Sequence, residues 1–235
     1  MLDRHRCEPD ADPNPTTIAS KANLPVTVAA PLRIDHVLFA VDDLDIAART
    51  VESRFGLGSI EGGRHPAWGT ANRIVPLGDT YLELVAVADP DIAATTAFGR
   101  WVVAGRSGRP LGWAVRTDAL NAVAQRLGLS VAVGSRQTPA GDVLRWRSAG
   151  VQEAAAEPVL PFFIEWAAGS AFPGAAAVDH PGGGATLKRL SLTGDAQRIA
   201  AWLGDHDLLI DIEPGPPRQS RLVLARPGGD IPFDW

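Results

Sequence analysis

From Leu32 onward the chain alternates apolar and polar positions in short runs, and the first run, Leu32 to Val41 (LRIDHVLFAV), predicts a strand. Asp42 and Asp43 then stand where a helix N-cap belongs, ahead of an amphipathic run from Leu44 to Phe55 that Gly56 and Gly58 stop. Ser59 to Gly63, Thr70 to Pro76 and Thr80 to Val87 (TYLELVAV) predict three further strands, completing a β-α-β-β-β unit. A helical stretch from Ile92 to Ala104 bridges onward. The order then repeats: a strand from Leu111 to Thr117, a helix from Ala119 to Leu127 capped by Asp118, and strands at Ser130 to Gly134, Asp142 to Ser148 and Pro161 to Ala167. A third, shorter echo begins at Ala185. It holds a strand from Thr186 to Thr193, Asp195 as cap, a helix from Ala196 to Leu203, and strands near Leu208 to Ile212 and Arg221 to Ala225.

The expected fold class is therefore α+β: tandem β-α-β-β-β units whose curved sheets form an open trough, with helices packed outside. Unit one is expected over residues 32–88, unit two over 110–168 and a partial third over 185–226. Residues 1–31 carry Pro9, Pro13, Pro15, Pro25 and Pro31 among Asp, Asn, Thr and Ala, a mixture that buries little apolar surface and reads as a flexible leader. Residues 227–235 read as a C-terminal tail.

Composition narrows the partners more than it changes the fold. In 235 residues, 46% are hydrophobic and 21% charged, the signature of an ordinary globular chain rather than a fibrous or disordered one. Mean hydropathy is +0.01. Cys7 is the only thiol, so neither a disulfide framework nor a cysteine-rich zinc site can be built. The net charge of −5 and the lack of a dense basic stripe argue against nucleic acid. No apolar run reaches the roughly 20 residues that a membrane helix needs, and no secretion signal opens the chain. A cytoplasmic protein acting on a small molecule is the expectation.

Side chains alternate across a strand, so Ile34, His36 and Leu38 are expected on one face of the first strand, and Tyr81, Glu83 and Val85 on one face of the fourth. Aligning Tyr81-Leu82-Glu83-Leu84 with Phe163-Ile164-Glu165-Trp166 gives each closing strand one carboxylate. A buried carboxylate or imidazole needs a counter-charge, a hydrogen bond or a metal. His36, Glu83 and Glu165 converging in the trough would offer nitrogen and oxygen ligands to a divalent ion such as Zn, Ni, Mn, Co or Fe. The plainer reading makes His36 a hydrogen-bonded core histidine and pairs each Glu with an Arg. Between the second and third strands, His65, Thr70 and Asn72 lie in a glycine-bracketed stretch. They form either a tight turn or a polar group over the trough that binds substrate, with His65 as a base. Among the strand tryptophans Trp113 is the one expected to face the trough. His180, before Pro181 and a run of three glycines, marks a linker or the pocket rim.

These residues resemble a known family. The doubled β-α-β-β-β order, His36 in IDHVLFAVDDL and Glu83 in YLELV are similar to the vicinal oxygen chelate superfamily, which includes glyoxalase I, extradiol dioxygenases and fosfomycin-resistance proteins. More narrowly, GGRHPAWGTANRIVPLGDTYLELVAV resembles the glyoxalase-like domain family, with its GG-x-H-x-x-x-G-T-x-N stretch before the YLEL strand. The resemblance implies a divalent metal on His36, Glu83 and Glu165 that chelates two neighbouring substrate oxygens and stabilises an enediolate, while Glu83, Glu165 or His65 moves the proton. A lyase or isomerase is the implied activity. The superfamily's fourth ligand would fall at Gly112 or Trp113, neither of which binds metal. This favours, as an alternative, a metal-free small-molecule or drug-binding protein; an extradiol-type dioxygenase, which would use His-His-Glu at ferrous iron, stands last because one strand His aligns. The superfamily also leaves a homodimer open, although two units in one chain predict that each chain makes its own trough.

Overall fold

The computed structural model describes residues 31–105 and 109–234. The expected leader therefore lies, apart from Pro31, outside the described residues.

Strand β1 (Arg33–Ala40) leads into helix α1 (Leu44–Phe55). The Asp43 carboxylate caps that helix by accepting from the backbone N–H of Asp45 and of Ile46, each at 2.8 Å. Gly56 closes it at φ 64°, in the left-handed region. Strands β2 (Ile60–His65), β3 (Thr70–Pro76) and β4 (Tyr81–Val87) follow. The expected bridging helix is two pieces, α2 (Pro90–Ala93) and α3 (Ala97–Ala104), because the Thr96 hydroxyl accepts from Gly99 N–H and restarts the helix. Unit two runs β5 (Pro110–Arg116), α4 (Leu120–Leu127), β6 (Val131–Gln137), β7 (Val143–Ala149), α5 (Val151–Ala156) and β8 (Phe162–Trp166). Asp118 does not cap α4. The N-cap position is Ala119, which makes no side-chain cap, and the Thr117 hydroxyl holds the Ala119 N–H instead.

These eight strands curl into a closed barrel in the order β1-β4-β3-β2-β6-β7-β8-β5. Each unit contributes a four-stranded sheet, with its first strand parallel to its fourth. Two edge pairings turn the expected trough into a barrel. The β1–β5 seam is an extended antiparallel ladder, whereas the β2–β6 seam is the single pair Arg64 and Gln137.

Glycines sit where the interior is crowded. A Cβ on Gly134 would lie 2.4 Å from the Trp146 indole, and one on Gly112 would lie 2.3 Å from the Trp101 ring.

The third stretch repeats the element order but not the pairing. Strands β9 (Thr186–Thr193), β10 (Ile210–Glu213), β11 (Arg218–Ala225) and β12 (Ile231–Phe233) form a separate sheet in the order β10-β9-β11-β12, with α6 (Ala196–Leu203) between β9 and β10. Here the first strand lies inside the sheet, parallel to the second and antiparallel to the third. The stretch expected as a C-terminal tail supplies β12, whose Phe233 is buried against Phe39 and Phe55.

Two apolar layers result. One joins the barrel's outer face to α1, α4, α6 and the C-terminal sheet, and includes Val37, Phe39, Trp113, Phe163 and Trp202. The other fills part of the barrel interior beneath α3 and α5, and includes Leu38, Val85, Phe98, Trp146 and Ile164. Among the described residues no helix is long and apolar enough to cross a membrane.

Candidate functional site

A cavity of about 430 Å³ opens inside the barrel. Its walls are aromatic: Trp68, Phe98, Trp146, Phe162 and Trp166 stand around a polar cluster of His36, His65, Asn72, Tyr81, Glu83 and Arg136.

His36 comes from β1, beside a bulge between Ile34 and His36 in the ladder with β5. The extra residue breaks the alternation. Ile34 joins the outer layer rather than sharing the inner face with His36, and Asp35 is drawn into the interior with no exposed surface. The Asp35 carboxylate meets His36 Nδ1 at 2.7 Å, accepts from Trp166 Nε1 at 3.0 Å and lies 3.6 Å from the Arg116 guanidinium. Those contacts place a proton on His36 Nδ1. His36 Nε2 faces Glu83 Oε2 at 3.3 Å, and Asn72 Nδ2 donates to Glu83 Oε1 at 2.7 Å. His36 Nε2 and one Glu83 oxygen therefore face each other across the wall of the cavity, with the other Glu83 oxygen held by Asn72. Tyr81 stacks on His36 with ring centroids 4.7 Å apart. Burial, and then the Asp35 carboxylate, keep its phenol protonated well above the ordinary range.

His65, at the end of β2, contacts the Thr70 hydroxyl through Nδ1 at 3.1 Å and packs beside Trp68. Burial lowers its pKa to about 4, with Glu83 pulling upward and Arg136 downward, so the imidazole is neutral near pH 7. The glycine pair beside it is a matter of space. A Cβ on Gly62 would strike the Asn72 amide at 2.1 Å, and Gly63 holds φ 134° with a would-be Cβ 2.3 Å from the Gln137 carbonyl. Asn72 Oδ1 is buried without a hydrogen-bond partner.

Arg136 is the residue that sequence reasoning missed. The expected strand ended at Gly134, but β6 continues to Gln137, and alternation turns Gly134 and Arg136 inward. Gly134 is no breaker here; it makes room for the Trp146 ring. The Arg136 side chain is only 6% exposed, and among the described residues it makes neither a hydrogen bond nor an ion pair.

Four of the expected site residues stand elsewhere. Glu165 points away from the cavity, 2.5 Å from Arg147, because Phe162, Ile164 and Trp166 take the inner face of β8. The barrel ladders show why. His36 pairs with Tyr81, and Ala114 pairs with Phe162 in the equivalent place. The counterparts of His36 and Glu83 in unit two are therefore Ala114 and Ile164, and the expected alignment was one residue out of step. Trp113 is fully buried in the outer layer, where its indole donates to the Val159 carbonyl. His180 clamps the linker: Gly58 N–H donates to its Nδ1, and its Nε2 donates to the Pro76 carbonyl. Thr70 is buried behind His65 rather than lining the cavity.

The expected metal set consequently does not assemble. His36 and Glu83 remain together, Glu165 is outside, and unit two offers Ala114 and Ile164. Among the described residues no group of three or more His, Cys, Asp or Glu stands close enough to hold a metal ion. The donors present do not fit a resident divalent ion.

Comparison with known proteins agrees with the architecture. The chain resembles, in fold, a hypothetical protein from Staphylococcus aureus, with a TM-score of 0.61 at 17% identity over 86% of this chain and 99% of that one. Lower-scoring matches are methylmalonyl-CoA epimerases. That from Mycobacterium tuberculosis has a TM-score of 0.40 at 20% identity, over 57% of this chain and 85% of that one. That from Streptomyces coelicolor, in complex with 2-nitronate-propionyl-CoA, has a TM-score of 0.44 at 21% identity, over 61% and 99%. No curated protein matches. The profile of the glyoxalase-like domain matches residues 34–208, which takes in both barrel units, and the chain belongs to that family.

Proposed function

We propose that the barrel cavity is the active site of a small-molecule isomerase or lyase that moves a proton on a carbon next to a carbonyl. The observation that carries this reading is the buried chain Asp35–His36–Glu83–Asn72, which ends on the cavity wall. Glu83 is the proton acceptor. Asn72 fixes one of its oxygens, and His36 faces the other. Asp35 behind His36 sets the tautomer and orients the imidazole toward Glu83. Neutral His65 stands by as donor or acceptor toward the substrate oxygen on which negative charge develops. Aromatic walls exclude water and strengthen each of these interactions. No step runs through a metal, because the donor set for one is incomplete.

Proton transfer of this kind leaves a trace even when the net reaction is unknown. In heavy water, purified protein should wash deuterium into the activated carbon of one member of a panel of 2-oxo acids, 2-hydroxy ketones and acyl thioesters, followed by proton NMR. Glu83→Gln should slow that exchange by about 10²-fold or more. A panel member that binds in the cavity yet exchanges no faster than in buffer would favour a second reading, a metal-free binding protein. That reading draws on the aromatic lining and on the contacts by which Asp35, His36, Glu83 and Asn72 already hold one another.

A further inference from the structure

We propose that Arg136 is the anchor for the carboxylate of the ligand, and that the ligand is a monocarboxylic acid with an apolar, aromatic-sized body. The inference rests on the reading of the barrel cavity as the substrate site, and adds to it the class of molecule bound.

Three observations converge. The first is a missing partner. The Arg136 side chain is 94% buried (6% exposed) and lines the cavity, yet among the described residues it meets no carboxylate, carbonyl or hydroxyl at bonding distance. Its nitrogens are not among the wholly buried unpartnered atoms and so open onto the cavity, where five donors ask for a planar acceptor. Burial draws its pKa below the ordinary value, and the fields of Tyr81 and Glu83 oppose that fall. An arginine has no accessible neutral form near pH 7, so the acceptor that its donors lack in the protein would come from a ligand. A carboxylate matches the guanidinium fork with two parallel hydrogen bonds.

The second is charge balance. Asp35 has Arg116 and His36 beside it, and Glu83 has His36. Neither carboxylate is in bonding contact with Arg136, whose guanidinium stays open to a ligand. A single carboxylate neutralises that guanidinium. A phosphate monoester would bring excess negative charge into a space that already holds Glu83.

The third is the wall itself. Trp68 and Trp146 stand 5.8 Å apart between ring centroids, and Trp146 and Trp166 stand 5.6 Å apart. These indole faces suit a flat or branched apolar body, and the cavity of about 430 Å³ is within the range of small-ligand pockets.

Isothermal titration and tryptophan fluorescence with benzoate, phenylacetate and 3-phenylpropanoate, each beside its neutral amide and beside phenyl phosphate, test the inference. At least one acid should bind about tenfold or more tightly than its amide and than phenyl phosphate. Arg136→Met should bring acid and amide within about twofold of each other, while Arg136→Lys keeps part of the preference. Thermal melting of Arg136→Met should show a fold no less stable than the parent, since an unpaired buried charge has been removed. If Arg136→Met does not fold, the comparison is read on Arg136→Lys. The inference is overturned by acids binding no tighter than amides, by failure of every acid at millimolar concentration, by tightest binding of phenyl phosphate, or by a preference that survives loss of Arg136. The two readings fail separately. Acid binding without solvent exchange defeats the catalytic reading alone, and exchange indifferent to Arg136 defeats this one alone.

Discussion

His65 shows how a single buried group ties the site to the stability of the chain. Its imidazole has a pKa of about 4 in the folded protein against 6.5 when exposed, first because of burial. Between those values the unfolded chain binds the proton and the folded one does not, so stability falls as pH drops through that window and is flat above it. The full loss is about 3 kcal/mol. Urea unfolding of the parent and of His65→Gln from pH 7 to pH 4 checks this, and the difference between the two curves should carry that slope. At the same scale lie the two side chains read least well from sequence. Glu165 was placed in the cavity by an alignment that slipped one position, and a slip of one turns a strand residue to the opposite face. Its true setting, against Arg147, is the plain ion pair weighed beside the metal reading. Asp35 was invisible for the converse reason. Strict alternation sends it outward, and only a bulge, which depends on the neighbouring strand, brings it behind His36.

At the scale of elements, local chemistry was legible wherever it was self-contained. The Asp43 and Asp195 caps, the left-handed Gly56 and the alternation of β4 all follow from residues within one or two turns of each other. Elements whose existence depends on distant packing were not. Helix α5 has six residues and no side-chain cap, and β6 was cut short because Gly134 looks like a terminator until Trp146 is laid over it. The caps offer a direct contrast. Asp43→Ala should lower stability by about 1 kcal/mol in denaturant melts, whereas Asp118→Ala, at an exposed position that caps nothing, should change it by less than about 0.5 kcal/mol.

Across the whole molecule, repetition of the β-α-β-β-β order revealed two barrel units. It did not reveal closure, which depends on strands remote in sequence meeting at both edges, nor the different pairing of the C-terminal sheet. The two seams are unequal. Amide hydrogen exchange should therefore be faster at Arg64 and Gln137, where β2 and β6 meet through one residue pair, than along the β1–β5 ladder. Mass spectrometry of peptides across each seam reads that difference.

The pairing of His36 and Glu83 with Ala114 and Ile164 has a consequence for how this barrel diversifies. Related by descent or not, the halves have become specialists, one keeping the His36–Glu83 machinery and the other supplying upholstery, Arg136 and, from α5, Glu153. Variation at Trp146, Ser148 or Ile164 can resculpt the chamber while the opposite wall continues its work undisturbed. A relative with altered appetite should carry its changes mainly in the latter half.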